Sequence, residues 1–268
     1  MSNKDEYIIV SAPVASIYKK PSFSSELITQ ALIWEELIIS DKKNNWYKIK
    51  QKDNYLGWIH SFYIVNSRVY NDNPLLHNPD NWYWVKDRFL KLNLNNKTTY
   101  LISYGSLLPC FKEEIFFTIL PNNERVVLDE KSLIKYNNKE NFKKNLLFSV
   151  NQLLGVPYLW GGKSSYGFDC SGLIQSLFQV SSNILLPRDA SLQIQSNLIK
   201  SIELPKIGDI IFFKINKKVS HVGIYINDND FIHASGDVKI NSIDKKRKYY
   251  SKKLEINYYK TYRTKVEC

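Results

Sequence analysis

The stretch that decides the fold is residues 157–178, PYLWGGKSSYGFDCSGLIQSLF. Gly161, Gly162 and Gly167 punctuate its first half; beyond Cys170, residues Leu173, Ile174, Leu177 and Phe178 share one helical face. This reads as a glycine-rich loop delivering Cys170 to the first turn of a helix. Free amide donors and the positive helix end lower a thiol pKa there, which suits a nucleophilic cysteine. Upstream, Phe142, Leu146, Leu147, Val150, Leu153 and Leu154 recur at three- and four-residue steps, so a helix runs to Gly155. Downstream, 209–214, 220–226 and 230–234 read as strands. Residues 137–268 are therefore expected to be an α+β domain, with helices first and an antiparallel sheet after.

The histidines add weight to Cys170. There are four: His60, His77, His221 and His233. His60 ends a predicted strand and His77 lies in a loop. His221 and His233 sit on successive strands joined by the turn Asn227-Asp228-Asn229-Asp230. A hairpin folded there leaves them opposite or one diagonal step apart, within about 8 Å. A thiolate needs a base beside it, and the base needs a group that fixes its ring; Cys170, His221 and His233 fill these roles in order.

The other cysteines read differently. Cys110 follows Pro109 between apolar segments and is expected to be a small core residue. Cys268 ends the chain and is expected to be frayed. Three cysteines without a CxxC argue against a disulfide framework. The spacing of Cys170, His221 and His233 matches no common zinc pattern, so no metal is expected.

Residues 7–65 carry short β-branched and aromatic runs at 7–10, 16–18, 27–32, 36–40, 46–50 and 55–60, separated by turn formers. This suggests a small β-barrel over 1–66. Residues 69–81 (VYNDNPLLHNPDN) read as a linker or long loop. Strand-like runs at 82–85, 100–103, 115–120 and 125–128 suggest a second small barrel over 67–136.

The chain has 268 residues, 44% of them hydrophobic, and a net charge of +11. Only six of its 37 basic residues are arginine. The run Lys245-Lys246-Arg247-Lys248 reads as a solvated face, not a nucleic-acid site. No apolar run reaches the roughly 20 residues of a membrane helix, so no membrane insertion is expected. The start lacks the basic-then-apolar layout of a secretory signal, so the expected location is cytoplasmic.

With these residues in view, the chain resembles the NlpC/P60 family of cell-wall peptidases. The resemblance rests on Pro157 to Gly162, Phe168-Asp169-Cys170-Ser171-Gly172, Leu186 to Ala190, Gly208 to Phe213, Ser220 to Tyr225 and Phe231 to Ala234, in that order. It implies a papain-like domain with Cys170 as nucleophile, His221 as base, His233 as third residue and Tyr158 supporting the oxyanion. Ala15 to Leu32, Trp46 to Ile49 and Asp53 to Ile59 resemble a bacterial SH3 domain. Two such barrels before an NlpC/P60 unit is the layout of γ-D-glutamyl-L-diamino acid endopeptidases of murein peptide recycling. In that group the first SH3 domain walls off one end of the cleft, which implies that Glu35 (or Glu36), Tyr55 and Asp169 recognise a free N-terminal L-Ala amine. Ser171 is implied to face substrate, and Arg188-Asp189 matches a segment lining the cleft. One departure is Trp34, where the family often has Gly before the acid. The expected partner is a murein peptide, L-Ala-γ-D-Glu-diamino acid, with no cofactor. The alternative is a hydrolase of intact peptidoglycan that uses its SH3 domains to bind the wall. Nothing in the sequence signals an oligomeric state.

Overall fold

The computed structural model describes residues 6–95, 98–137 and 141–265. The chain divides into two compact units, 1–138 and 139–268.

The first unit is almost entirely antiparallel sheet. Strands β1 (Tyr7–Val10), β2 (Val14–Tyr18), β3 (Leu27–Leu32), β4 (Glu36–Lys43), β5 (Trp46–Lys50), β6 (Leu56–His60) and β7 (Ile64–Asn66) lie in the order β3-β2-β6-β5-β4-β1-β7. Alternation along these strands buries Ile8, Val10, Ala15, Ile17, Ala31, Leu37, Ile49 and Ile59 in one core. The expected linker is instead ordered helical structure: helix α1 (Arg68–Asn71) and two 3-10 turns, Pro74–His77 and Pro79–Asn81. Proline at the first position and the side chains of Asn73 and Asn78, accepting from Leu75 N and Asp80 N, start each turn. Leu76 then points into the neighbouring core, which holds this segment down.

Seven further strands follow: β8 (Trp82–Val85), β9 (Phe89–Asn93), β10 (Thr99–Ser103), β11 (Leu107–Lys112), β12 (Phe116–Ile119), β13 (Arg125–Val127) and β14 (Leu133–Lys135). They form a five-stranded sheet, β13-β12-β11-β8-β14, and a separate β9–β10 pair. The strands β9, β11 and β14 were not legible in the pattern. Cys110 lies on β11 and is 2% exposed, a core residue whose thiol burial pushes up far above its ordinary range.

In the second unit helix α2 (Phe142–Leu153) buries Phe142, Leu146, Val150 and Leu153. Helix α3 (Cys170–Ser182) packs beside it, with the Phe142 and Phe178 rings stacked at 5.7 Å. Both are accompanied by the short pair β15 (Lys163–Ser164) and β16 (Gly167–Phe168) and by a six-stranded sheet of β17 (Ile199–Ile202), β18 (Ile210–Ile215), β19 (Lys218–Tyr225), β20 (Asp230–Ser235), β21 (Asp237–Ser242) and β22 (Tyr258–Thr264). The order β17-β22-β18-β19-β20-β21 inserts the last strand between the first two. The sequence pattern reached only β18, β19 and β20. The polar run of β22, Tyr-Tyr-Lys-Thr-Tyr-Arg-Thr, hides a strand that is only partly buried.

Trp34 occupies a left-handed backbone, φ +67°. Such a conformation costs a non-glycine residue about 1–2 kcal/mol, which accounts for a glycine preference at this turn. Here the indole offsets it: Trp34 is 4% exposed, its Nε1 donates to Ile119 O at 3.0 Å, and its ring meets Trp82 edge-on at 5.9 Å. Trp34→Gly should relieve the strain yet lose about 3–5 kcal/mol of burial, for a net destabilisation of about 1–4 kcal/mol. Urea unfolding of the variant checks this; a stabilised protein would show that strain outweighs packing.

Candidate active site

Helix α3 begins at Cys170 because Asp169 caps it. Asp169 is extended (φ −88°, ψ 175°) and its Oδ1 accepts from Gly172 N at 2.7 Å. The same oxygen accepts from Ser171 Oγ at 3.2 Å and Arg188 Nη1 at 2.9 Å, while Oδ2 accepts from Arg188 Nη2 at 2.6 Å. Arg188 also donates to Ser171 Oγ at 3.0 Å and Gly162 O at 3.3 Å. Arg188 is 1% exposed. Its guanidinium was expected to line the cleft; it is instead buried as the forked partner of a capping carboxylate, because an isolated charge there would be prohibitive. Asp189 starts the short helix α4 (Ala190–Gln193), its carbonyl accepting from Leu192 N and Gln193 N.

The loop before the helix interlocks with it. Asp169 N donates to Gly162 O at 3.1 Å, and Leu159 N and Phe168 N exchange bonds with Phe168 O and Pro157 O. A Cβ on Gly172 would sit 2.2 Å from Gly162 O, and one on Gly162 2.3 Å from Gly167 O. Only glycine permits this backbone approach. Tyr158 N donates to Gly236 O at 2.8 Å, which ties the loop to the β20–β21 turn.

Cys170 is 9% exposed. Burial pushes its thiol up to about 11, and the Asp169 charge adds to the rise. Backbone hydrogen bonds from Val222 and Ser171, and the Arg188 charge, pull the other way. The helix start therefore does not leave a thiolate at rest: desolvation outweighs the amide donors. Val222 is the residue after His221 on β19, so the thiol lies against the strand that carries the histidine.

The two histidines meet one diagonal step apart. Ile224 pairs with Ile232, and continuing that register sets Gly223 opposite His233. His221 Nε2 lies 2.7 Å from His233 Nδ1, with the rings at 82°. His233 Nε2 lies 2.8 Å from Asn241 Oδ1, and Asn241 Nδ2 donates to Tyr249 O at 3.0 Å. Burial lowers His221 to about 3, with His233 adding to the shift, and burial lowers His233 as well. Both rings are neutral at pH 7. Tyr158 is pushed up to about 12 by burial, then by Cys170 and Asp169, so its hydroxyl keeps its proton as a donor near the thiol.

Sequence reading missed Asn241 and Gln193. Asn241 was reachable: Gly236 marks a tight turn, and the β20–β21 register pairs His233 with Lys239, putting Asn241 one diagonal step away. Gln193 carried no signal; its Nε2 donates to Ser171 O at 3.0 Å and Pro187 O at 2.9 Å, bracing the first turn of α3.

In the first unit, Glu35 Oε1 accepts from Leu32 N and Oε2 from Gln51 Nε2, both at 3.1 Å. Gln51 N donates to Tyr55 O at 2.9 Å, so Glu35 and Tyr55 are tied to one residue. Glu36 is more exposed, and burial raises its carboxyl against the pull of Lys52 and His77. Among the described residues no group of three His, Cys, Asp or Glu side chains could hold a metal ion, and no helix is long and apolar enough to cross a membrane. Cys268 lies outside the described residues.

A buried cysteine at a capped helix start, beside a strand bearing one of two hydrogen-bonded histidines, defines a thiol hydrolase. Residues 155–257 match the NlpC/P60 family and residues 13–65 the bacterial SH3 domain. The chain is 28% identical to a gamma-D-glutamyl-L-lysine dipeptidyl-peptidase of Bacillus cereus, across 79% of this chain and 68% of that protein. It is 25% identical to dipeptidyl-peptidase 6 of Lysinibacillus sphaericus, across 92% of this chain and 95% of that protein. The crystal structure of an NlpC/P60 family protein from Bacillus cereus has the same fold, with a TM-score of 0.81, 22% identity, and 95% of this chain and 98% of that one covered. The chain is a cysteine peptidase that carries an NlpC/P60 domain and, ahead of it, a bacterial SH3 domain.

Two outcomes follow from the electrostatics. Arg188→Ala strands the Asp169 charge and should cost about 3–5 kcal/mol in urea unfolding; Arg188→Lys should recover only part, lacking the fork. Because the thiol is raised to about 11 and the imidazole lowered to about 3, thiolate accumulates only as pH rises. Iodoacetamide alkylation of Cys170 should therefore keep accelerating up to pH 10, and stay faster than that of Cys110. A rate already flat at pH 6 would mean a resting thiolate–imidazolium pair.

Proposed function

We propose that the protein hydrolyses the γ-D-glutamyl–diamino acid bond of murein-derived peptides, L-Ala-γ-D-Glu-diamino acid, by acyl transfer through Cys170. The observation that carries this is the thiol of Cys170 set against β19, whose His221 is hydrogen-bonded to His233. The names of the relatives supply the bond: one acts as a gamma-D-glutamyl-L-lysine dipeptidyl-peptidase. In this reading residues 137–268 are a papain-like domain and 67–136 a second SH3-like module; the seven strands between Trp82 and Lys135, as many as between Tyr7 and Asn66, support it.

The thiol proton passes to His221 as sulfur attacks the γ-carbonyl carbon. The resulting oxyanion is met by the hydroxyl of Tyr158 and the amide of Cys170. His221 then gives the proton to the departing amine, the C–N bond breaks, and a thioester remains. Water, deprotonated by the same histidine, releases the L-Ala-γ-D-Glu product and returns the thiol. Asp169, held by Arg188, keeps the helix start in register throughout. We also propose that the peptide must carry a free N-terminal amine, the form released when wall peptides are recycled in the cytoplasm.

Incubation with L-Ala-γ-D-Glu-L-Lys and its meso-diaminopimelate counterpart, with products identified by mass, tests the reading. Cys170→Ala should lose on the order of 10⁴-fold or more of the rate while staying folded. N-acetylation of L-Ala removes at least one charge-assisted contact of about 1.5–3 kcal/mol, so kcat/KM should fall at least 10- to 100-fold. Equal cleavage of the acetylated peptide, or of intact peptidoglycan, would replace recycling with wall hydrolysis.

A further inference from the structure

We infer that Asn241 is a positioning residue that selects the tautomer of His221, so that its Nδ1 is the lone pair available to the thiol; this rests on the proposed roles of Cys170 and His221. Tyr249 O accepts from Asn241 Nδ2 at 3.0 Å, and this orients the amide. A carbonyl can only accept, so the amide nitrogen faces Tyr249 and Oδ1 faces His233. Oδ1 can only accept, so His233 Nε2 carries the hydrogen of the 2.8 Å contact. A neutral His233 then has a bare Nδ1. At 2.7 Å from it, His221 Nε2 must be the donor. A neutral His221 with hydrogen on Nε2 leaves Nδ1 bare. Each assignment follows from the one before, and the chain ends at a backbone atom.

That end is anchored. Tyr249 O also accepts from Ser242 N at 2.8 Å, and Ser251 N donates to Ser242 O at 2.9 Å. Arg247, two residues before Tyr249, is ion-paired to Asp230 at the start of β20, and Ser242 Oγ donates to Asn229 O at 2.8 Å. The basic run is therefore the strap that fixes the tautomer chain. Its end closes over the histidine face: Leu254, on helix α5 (Lys252–Asn257), packs on the cluster of Ile211, Phe213, Tyr225 and Phe231. The Phe213 ring is 5.6 Å from His221 and the Phe231 ring 5.5 Å from His233.

Charges on two neighbouring elements face this pair. Lys253 of α5 acts on His221. Lys239 and Asp237 of β21 act on His233, and they pair with each other at 2.9 Å. Asn241 adds an oriented dipole without a net charge. Replacing it by a carboxylate would favour an imidazolium at the same place.

Two variants separate tautomer control from simple support. Asn241→Leu keeps the branched skeleton of the side chain and removes the acceptor. It should lower kcat on the order of 10- to 100-fold with KM nearly unchanged, the size of effect seen when a metal-bound histidine loses the partner that orients it. Asn241→Asp keeps the acceptor for His233 Nε2 and adds charge. Its imidazoles should protonate at higher pH, so the acid limb of kcat/KM should move up, while much of the rate returns above that limb. Nitrogen-detected NMR of labelled wild-type protein should show hydrogen on Nε2 of both rings, and in Asn241→Leu a mixture. The NMR readout needs no substrate. The expected tautomers in a protein that does not cleave the peptide would leave the Asn241 assignment standing and overturn the substrate reading. Unchanged tautomers with kcat within twofold in a folded Asn241→Leu, or a hydrogen on Nδ1 of His221 in the wild type, would overturn the assignment.

Discussion

The carboxylate of Asp169 serves two structures at once, and the peptidase unit is arranged around that double use. Oδ1 closes the first turn of α3 on Gly172 N, and both oxygens hold the buried fork of Arg188. The cap sets where the helix begins, which makes Cys170 its first residue. The ion pair sets where the carboxylate is, by binding a guanidinium that itself reaches back to Gly162 O. The glycine contact between residues 162 and 172 then follows, because the loop and the helix start are drawn to one point. A pair this deeply buried gives little net stability against an apolar replacement, but breaking it exposes its cost in full. Its use here is positional.

Burial also shapes the chemistry. It raises the thiol and lowers the imidazole, so both partners rest uncharged. Charge is created only as the proton moves. At that moment the backbone donors of Ser171 and Val222 face the sulfur, and the hydroxyl of Tyr158 stays protonated beside it. Groups held in a low-dielectric site stabilise developing charge without reorganising. The histidine chain contributes direction: hydrogen bonds running back to the carbonyl of Tyr249 leave one nitrogen of His221 as the acceptor.

The first unit shows how a local rule gives way to packing. The turn before Glu35 takes a left-handed residue, and Trp34 fills it because its indole has a core and a carbonyl to meet. The turn then presents the Glu35 carboxylate to Leu32 N and Gln51, and Gln51 reaches Tyr55 through the backbone.

The strongest local signals were legible without a structure. The 3.6-residue period of α2 and α3, the placing of Cys170 in the first turn of a helix and the alternation of β19 and β20 are properties of neighbours in the chain, so the sequence shows them directly. The hairpin rule brought His221 and His233 either opposite each other or one diagonal step apart, because a short turn leaves few registers, and the register of the folded sheet chose the diagonal. The resting charge of Cys170 was not legible: a helix start lowers a thiol pKa, but the burial that overrides it is made by elements far away in sequence. Nor was the role of Arg188, since a charged residue looks exposed until its counter-ion, 19 residues earlier, is folded onto it. Strand β22 was hidden for the same reason, being polar on its own and ordered only by β17 and β18 on either side. Which side chains could do the chemistry, and where the helix carrying the nucleophile begins, can be read from neighbours along the chain. Their protonation, tautomers and partners come from folding, because those depend on desolvation and on hydrogen bonds between segments that no local pattern brings together.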